Sequence, residues 1–270
     1  MAKKKQDDPA RTHPLTIPFL RKLGALDVLK PPEEAFDPHG PWTHTYRLWL
    51  VQRYLSGGAL TLRREPAGES TVRLHVDFTL AERGGYARRT HAELLCANDA
   101  LASPRSWTLR SEGLGLDGRP IATADVAESS TLRGGTLETR FGGRSHTRTV
   151  PTPITSNWSL LDAVQRLDGA NTKPLEFAML DEMDLLKPEQ RLEFRETTTL
   201  ELAGRTLRLR GYQQIGRGVL PWQYWVDDQG RLLLAFSGVR ALIYDPTAPQ
   251  WAQKMLDTAR ARAKRRYLPR

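Results

Sequence analysis

The residues of this 270-residue chain best placed to do chemistry are polar side chains that strand parity drops among apolar ones. Successive side chains point to opposite faces of a strand. On that rule Glu196 shares a face with Leu192, Phe194, Thr198 and Leu200. Gln213 shares one with Leu207, Leu209 and Ile215, and Arg240 with Leu232, Leu234, Phe236 and Leu242. Each is costly to bury without a partner. A Glu196 to Arg240 pair inside a concavity would satisfy both and orient the polar head of a bound molecule. The alternative is that a bulge turns these side chains outward, or that they pair structurally.

The other titratable residues offer less. His91 and Glu93 share a strand face with Arg89, which suits a general acid/base pair or an exposed cross-strand pair. His75 falls on the polar face of its strand. His13, His39, His44 and His146 lack a ligand spacing such as H-x-x-x-H, so no metal is expected. Asp181, Glu182 and Asp184 form an acidic loop with too few regularly spaced oxygens for calcium. The sequence holds no nucleophile motif or phosphate loop, so no catalytic residue is assigned and no cofactor is expected. Cys96 is the only cysteine, which excludes an intramolecular disulfide, and it reads as a buried structural thiol after Leu94 and Leu95.

Aromatic residues gather in the second half of the chain: Trp158, Phe177, Trp222, Tyr224, Trp225 and Phe236. They serve either as core or as the lining of a pocket for an apolar molecule. The ligand set read from the sequence is Trp158, Leu161, Phe177, Glu196, Gln213, Trp225, Phe236 and Arg240, around a pocket of several hundred cubic ångströms.

A β-rich framework must position these side chains. Strand patterns recur from Trp42 onward, separated by Gly57-Gly58, Gly84-Gly85, Gly134-Gly135 and Gly142-Gly143, as in an antiparallel meander. In residues 71–80, Val72, Leu74, Val76, Phe78 and Leu80 alternate with polar residues, giving one core face and one wet face. The Thr-, Ser- and Gly-rich run 121–150 reads as exposed or edge strands. Residues 219–245 read as a hairpin: Trp222 to Val226, a DDQG turn at 227–230, and a return strand from Leu232 to Ile243. One helix, about Asn157 to Leu167, is capped by Ser156 or Asn157 and carries Leu160, Leu161, Val164 and Leu167 on one stripe. A second, from about Pro249 to Arg266, shows basic residues on several sides and its last turns are expected to project. Residues 1–14 look disordered, and Ile17 to Leu29 suits a short helix or an extended arm. The expected division is an N-terminal arm at 1–41, one β-domain at 42–247 and a basic C-terminal helix at 248–270.

The net charge of +9 sits entirely in the tails, at Lys3, Lys4, Lys5 and at Arg260, Arg262, Lys264, Arg265, Arg266 and Arg270. Basic tails attract phosphate, of lipid or nucleic acid, or only solubilise. No segment is apolar enough to span a bilayer as a helix. No export signal is visible, so the chain reads as soluble with its compartment open.

A long meander, the Trp-bearing helix segment NWSLLDAVQRL, the strand and acidic loop LEFAMLDEMDLLKPEQ, and the hairpin GRGVLPWQYWVDDQGRLL together resemble the half-barrel fold of the periplasmic lipoprotein carriers. Uncharacterised extracytoplasmic bacterial domains and a small cofactor-free enzyme of violacein biosynthesis share that fold. The resemblance covers roughly residues 42–245 and lies in element order. It implies a mainly β protein: a curved antiparallel sheet of about ten to twelve strands, open as a half-barrel, wrapped around one central helix, with a C-terminal helix added. It also implies an apolar concavity suited to an acyl chain, and an extracytoplasmic location in bacteria.

The leading expectation is a non-enzymatic binding or carrier protein for a hydrophobic or lipid-like ligand. A cofactor-free enzyme using Glu196, His91 or Arg240 is one alternative. An interaction module docking Arg260, Arg262, Lys264, Arg265 and Arg266 on nucleic acid or an anionic surface is another.

Overall fold

The chain folds around one mainly antiparallel sheet, in which most consecutive strand segments are joined by short connections and pair with one another. The computed structural model describes residues 16–30, 32–50, 55–81, 85–168 and 173–267. The reading of residues 1–14 as disordered lies outside them. The first meander comprises β1 (Trp42–Leu50), β2 (Leu55–Gly68), β3 (Thr71–Ala81), β4 (Ala87–Ala97), β5 (Pro104–Leu114), β6 (Pro120–Arg133), β7 (Thr136–Phe141) and β8 (Arg144–Thr149). The second comprises β9 (Ile154–Ser156), β10 (Leu175–Asp181), β11 (Leu185–Leu202), β12 (Arg205–Gly216), β13 (Trp222–Val226), β14 (Leu232–Phe236) and β15 (Arg240–Tyr244). The two join where β1 pairs with β15, so β8 and β9 are the edges of an open fifteen-stranded sheet. Among the described residues only β9 runs parallel to its neighbour, β10. The mainly β, open-sheet class expected from the sequence is the one observed, with more strands than the ten to twelve expected.

Local chemistry explains most boundaries. Gly142 and Gly143, both at positive φ, make the tight turn between β7 and β8. Gly57 and Gly58 do not separate strands. They lie inside β2, where a Cβ on Gly58 would sit 1.9 Å from the Thr79 carbonyl oxygen, so only glycine lets β2 approach β3 there. The long return strand expected over residues 232–243 is two strands. Ser237 N–H donates to the Arg240 carbonyl and turns the chain between β14 and β15.

The concave side holds the main core. Val72, Leu74, Val76, Leu94 and Trp107 from the first meander meet Phe177, Leu180, Tyr212 and Tyr224 from the second, with the central helix between them. That helix is shorter than the sequence suggests: α2 (Ser159–Ala163) followed by a single 3-10 turn at Val164–Arg166. Ser156 Oγ accepts from Ser159 N–H at its start. Its residues 159–165 are buried on every side, so an amphipathic stripe is not what holds it.

The convex side is covered in two places. The N-terminal segment forms α1 (Ile17–Lys22), capped by Thr16, and a 3-10 turn at Ala25–Val28. Its Leu20, Ala25, Leu26 and Leu29 pack on Leu209, Trp225, Leu233, Leu234, Phe236 and Ile243. The C-terminal α3 (Ala248–Tyr267) lies over β1, β2 and β3 through Ala248, Ala252 and Leu256. It stays on the body past Arg260, whose Nε donates to the Gly85 carbonyl, and Ala263 is still buried.

Two buried polar arrangements fasten the concave core. Asp162 of α2 is held between Arg64 of β2 and Arg166. Arg64 Nε lies 2.9 Å from Asp162 Oδ1, an ion pair without hydrogen-bond alignment, while Arg166 Nε and Nη2 donate to Oδ2 at 3.1 and 2.9 Å. The guanidinium of Arg64 also donates to the carbonyls of His39 and Gly40 and to Asn98 Oδ1.

His44 is stacked on Trp42 at 4.6 Å, flanked by Phe36 at 4.9 Å, and met edge-on by Tyr244 at 5.5 Å. Burial first, then the positive charge of Arg231, drives its pKa down to about 3, against the opposing hydrogen bond with Gln165. The unfolded chain protonates this ring near pH 6.5 and the folded protein only near pH 3, so the stability it lends is full above pH 6.5 and drains as pH falls between the two. Between pH 7.5 and pH 5 the folded state should lose about 2 kcal/mol from this residue alone. Urea titrations at the two pH values check this, and His44→Phe, which keeps the stacked ring, should flatten the difference by that amount.

Candidate functional site

A cavity of about 200 Å³ opens on the concave side, between the sheet and α2. Its floor comes from strands: Leu48 of β1, Leu60 of β2, Phe78 of β3 and Leu242 of β15 reach it because their parity faces the core. Trp158 and Leu161 close one wall and Met179, Trp222 and Tyr224 another. The cavity is smaller than the several hundred cubic ångströms expected, because the buried side chains of Trp158, Met179 and Tyr224 fill much of the concavity.

Polar groups enter at two levels. Deep in the wall, Tyr224 Oη donates to Gln214 Oε1 at 2.7 Å, and Gln214 Nε2 donates to Gln190 Oε1 at 3.1 Å. Gln190 in turn donates to the carbonyls of Pro188 and Arg217, so the buried amides are satisfied in series. Burial pushes the Tyr224 phenol well above its usual pKa, which keeps it a neutral donor. At the mouth, Asn157, Asp181, Glu182 and Arg240 line the opening, while Ser237 lines the cavity as a buried residue. The Arg240 guanidinium lies 4.0 Å from Glu182, and both side chains are about half exposed, so this pair is loose and solvated. Glu182 and Met183 hold positive φ in the turn between β10 and β11, where Asp184 N–H donates to the Asp181 carbonyl and Asn157 Oδ1 accepts from Glu182 N–H. The side chain of Met183 is buried in the core and anchors the turn.

The eight residues taken from the sequence fall in different places. Trp158, Leu161 and Arg240 line the cavity. Phe177 is buried in the same core but does not reach the opening. Trp225 and Phe236 belong to the convex cluster under the N-terminal arm, Trp225 with its ring over Gly211. Gln213 is half-buried on the parity of Leu209, which also faces the convex side, while its neighbour Gln214 enters the cavity wall. Glu196 is exposed. The register slips between Phe194 and Glu196, so Leu192 and Phe194 face the concave core while Leu200 faces the convex cluster. Glu196 and Arg240 therefore do not meet. Arg240 faces Glu182 instead.

His91 is also outside the cavity. It pairs with Asp77 across β3 and β4 on the outer face, beside His75, which contacts Glu65 at 3.2 Å and Glu93 at 3.8 Å. This is a cross-strand ladder of exposed charges. Cys96 is fully buried in the main core, where burial pushes its thiol far above its usual pKa and leaves it unreactive. Among the described residues there is no cluster of His, Cys, Asp or Glu that could hold a metal ion, and no helix long and apolar enough to cross a membrane. On α3, Arg262, Lys264 and Arg265 are exposed while Arg260 is largely covered. The side chain of Arg266 lies outside the described ones.

No family model matches this chain, and none of the curated proteins matches it in sequence. In structure it is similar to a beta-barrel-like protein of the domain of unknown function DUF1849 from Brucella abortus, with a TM-score of 0.50 at 10% identity, over 76% of this chain and 95% of that one. A DUF1089 family protein from Pseudomonas aeruginosa matches at a TM-score of 0.35 and 12% identity, over 76% and 94%. At 10% identity the first likeness carries the fold alone: a barrel-like β-sheet, here left open between β8 and β9.

Proposed function

We propose that this chain is a binding or carrier protein, not an enzyme, for a small hydrophobic or lipid-like ligand held between the concave sheet and α2. The observation that carries this reading is the cavity itself: an unfilled space walled by Leu48, Leu60, Phe78, Trp158, Leu161 and Leu242, with polar groups confined to its mouth, Ser237 and one buried amide series. Largely apolar walls with a small number of polar groups are the usual form of a site for an apolar molecule. The resemblance of the sequence to the lipoprotein carriers supports the same reading. A volume of about 200 Å³ suits a short chain or the end of a longer one whose remainder leaves by the mouth. The enzyme reading needs two of Glu196, His91 and Arg240 at one cavity, and only Arg240 lines this one.

Native mass spectrometry of freshly purified protein, followed by solvent extraction, tests the proposal. The expected result is an added apolar mass that is lost on extraction. A bare polypeptide that also fails to take up a fluorescent apolar probe overturns it.

A further inference from the structure

The turn between β10 and β11 carries three acids, and their partners differ. Asp184 has the Arg148 guanidinium at 3.6 Å and Glu182 has that of Arg240 at 4.0 Å. Asp181 has neither: among the described residues no cation and no hydrogen-bond donor of the protein reaches its carboxylate. Its backbone carbonyl accepts from Asp184 N–H, which fixes the turn and leaves the side chain unpaired. Lys187, opposite Met179 on β11, lays its side chain along Gly218 instead. The side chains of Glu182 and Asp184 are 51% and 85% exposed, whereas Asp181 is half-buried in the lining of the cavity. After burial, the Asp181 charge is the next cause of the upward shift of the Tyr224 phenol, so the carboxylate stands close to that ring.

A second observation is independent of the turn. Four aromatic rings, Phe78, Trp158, Trp222 and Tyr224, line the same cavity, and those of Trp222 and Tyr224 are stacked with their centroids 6.2 Å apart. The face of such a ring attracts a cation, more strongly where water is excluded. Among the described residues the guanidinium groups that lie over rings are Arg47 on Trp251 and Arg231 on Phe36, and neither pair lines the cavity. A half-buried carboxylate without a partner costs free energy, and a cation beside it removes that cost. An ammonium group therefore satisfies the carboxylate and the ring faces together. An anionic head would be repelled by Asp181 and could reach Arg240 only in competition with Glu182.

We propose that the ligand of this cavity is an alkylamine, with its apolar body between the sheet and α2 and its ammonium head at the mouth, on the Asp181 carboxylate and against the aromatic rings. The inference rests on the carrier reading and narrows it to one class of molecule.

Isothermal titration calorimetry of the full chain with octylammonium, octanoate and 1-octanol, matched in chain length, is the test. Octylammonium should bind about tenfold or more tighter than 1-octanol, the usual gain for a hydrogen bond to a charged group, and octanoate should bind weakest. The net charge of +9 would give the reverse order for non-specific attraction, octanoate before octylammonium. Asp181→Asn keeps the size of the side chain and removes its charge. It should bring octylammonium down to the affinity of 1-octanol and leave that of 1-octanol unchanged. Binding without a preference for the ammonium, or a preference that survives Asp181→Asn, overturns this inference and leaves the carrier reading standing. Failure of all three to bind overturns the carrier reading and this inference with it.

Discussion

Replacing Asp162 by alanine should cost about 3 to 5 kcal/mol in urea unfolding, because it leaves two buried guanidinium groups facing each other with their anion gone. Arg64 is 1% exposed, Arg166 is 6% exposed and Asp162 is fully buried, so water does not replace the lost carboxylate. Burial alone drives the Asp162 carboxyl towards its neutral form, and the two cations oppose that drive. The cost of breaking the group is therefore not its net value. Substituting all three together with Arg64→Met, Asp162→Leu and Arg166→Met should cost much less than the sum of the single changes. The remaining penalty would come from the carbonyls of His39, Gly40 and Asp99, which lose their donors. A loss under about 1 kcal/mol for Asp162→Ala would mean that α2 is not held by this ion group.

The framework was legible where one face of a strand is wet. Val72, Leu74 and Val76 alternate with Arg73, His75 and Asp77 because the convex side of β3 carries only the charge ladder there, and the strand and its facing could be read directly. Arg64 continues the parity of Leu60 and Leu62 on β2, and a charge at a core-facing position is a signal of a buried partner that the reading of the sequence above does not use. The second meander was not legible in this way. Both of its faces are apolar, since the N-terminal arm covers Leu209, Leu234 and Phe236 from outside while Tyr212, Tyr224 and Leu232 face the inner core. Parity cannot say which group is concave, and it fails where the register shifts, as between Leu232 on the inner core and Leu234 on the outer cluster, and so Trp225, Phe236 and Gln213 were assigned to the cavity when they face away from it. Register slips add to this. The one between Phe194 and Glu196 inverts the faces within a single strand, and the turn at Ser237 to Arg240 lets Arg240 reach the cavity mouth while Leu234 and Phe236 face outward. Asn157 offered a cap to its own helix and instead binds the β10 to β11 turn, a contact that no local pattern encodes.

Replacing Trp158 by alanine should destabilise the chain by about 3 kcal/mol, the lower end of the range for such truncations. The indole is 6% exposed and joins α2 to both halves of the main core, so it makes many contacts. One side of it already faces the cavity, however, and contacts that are absent cannot be lost. The same geometry links this residue to the proposed function. Removing the ring merges its volume with the existing space, which stays open to a ligand instead of collapsing. An apolar molecule that fits the enlarged cavity, supplied at a hundredfold excess over its Kd, should return about 2.7 kcal/mol and recover most of the loss. Thermal unfolding of wild type and Trp158→Ala, each with and without an alkyl ligand, reads this directly. A carrier site predicts stabilisation in both proteins, larger in the variant for bulkier ligands. A gain in the variant alone would identify the wild-type space as a packing defect, because a void engineered in any apolar core binds such molecules.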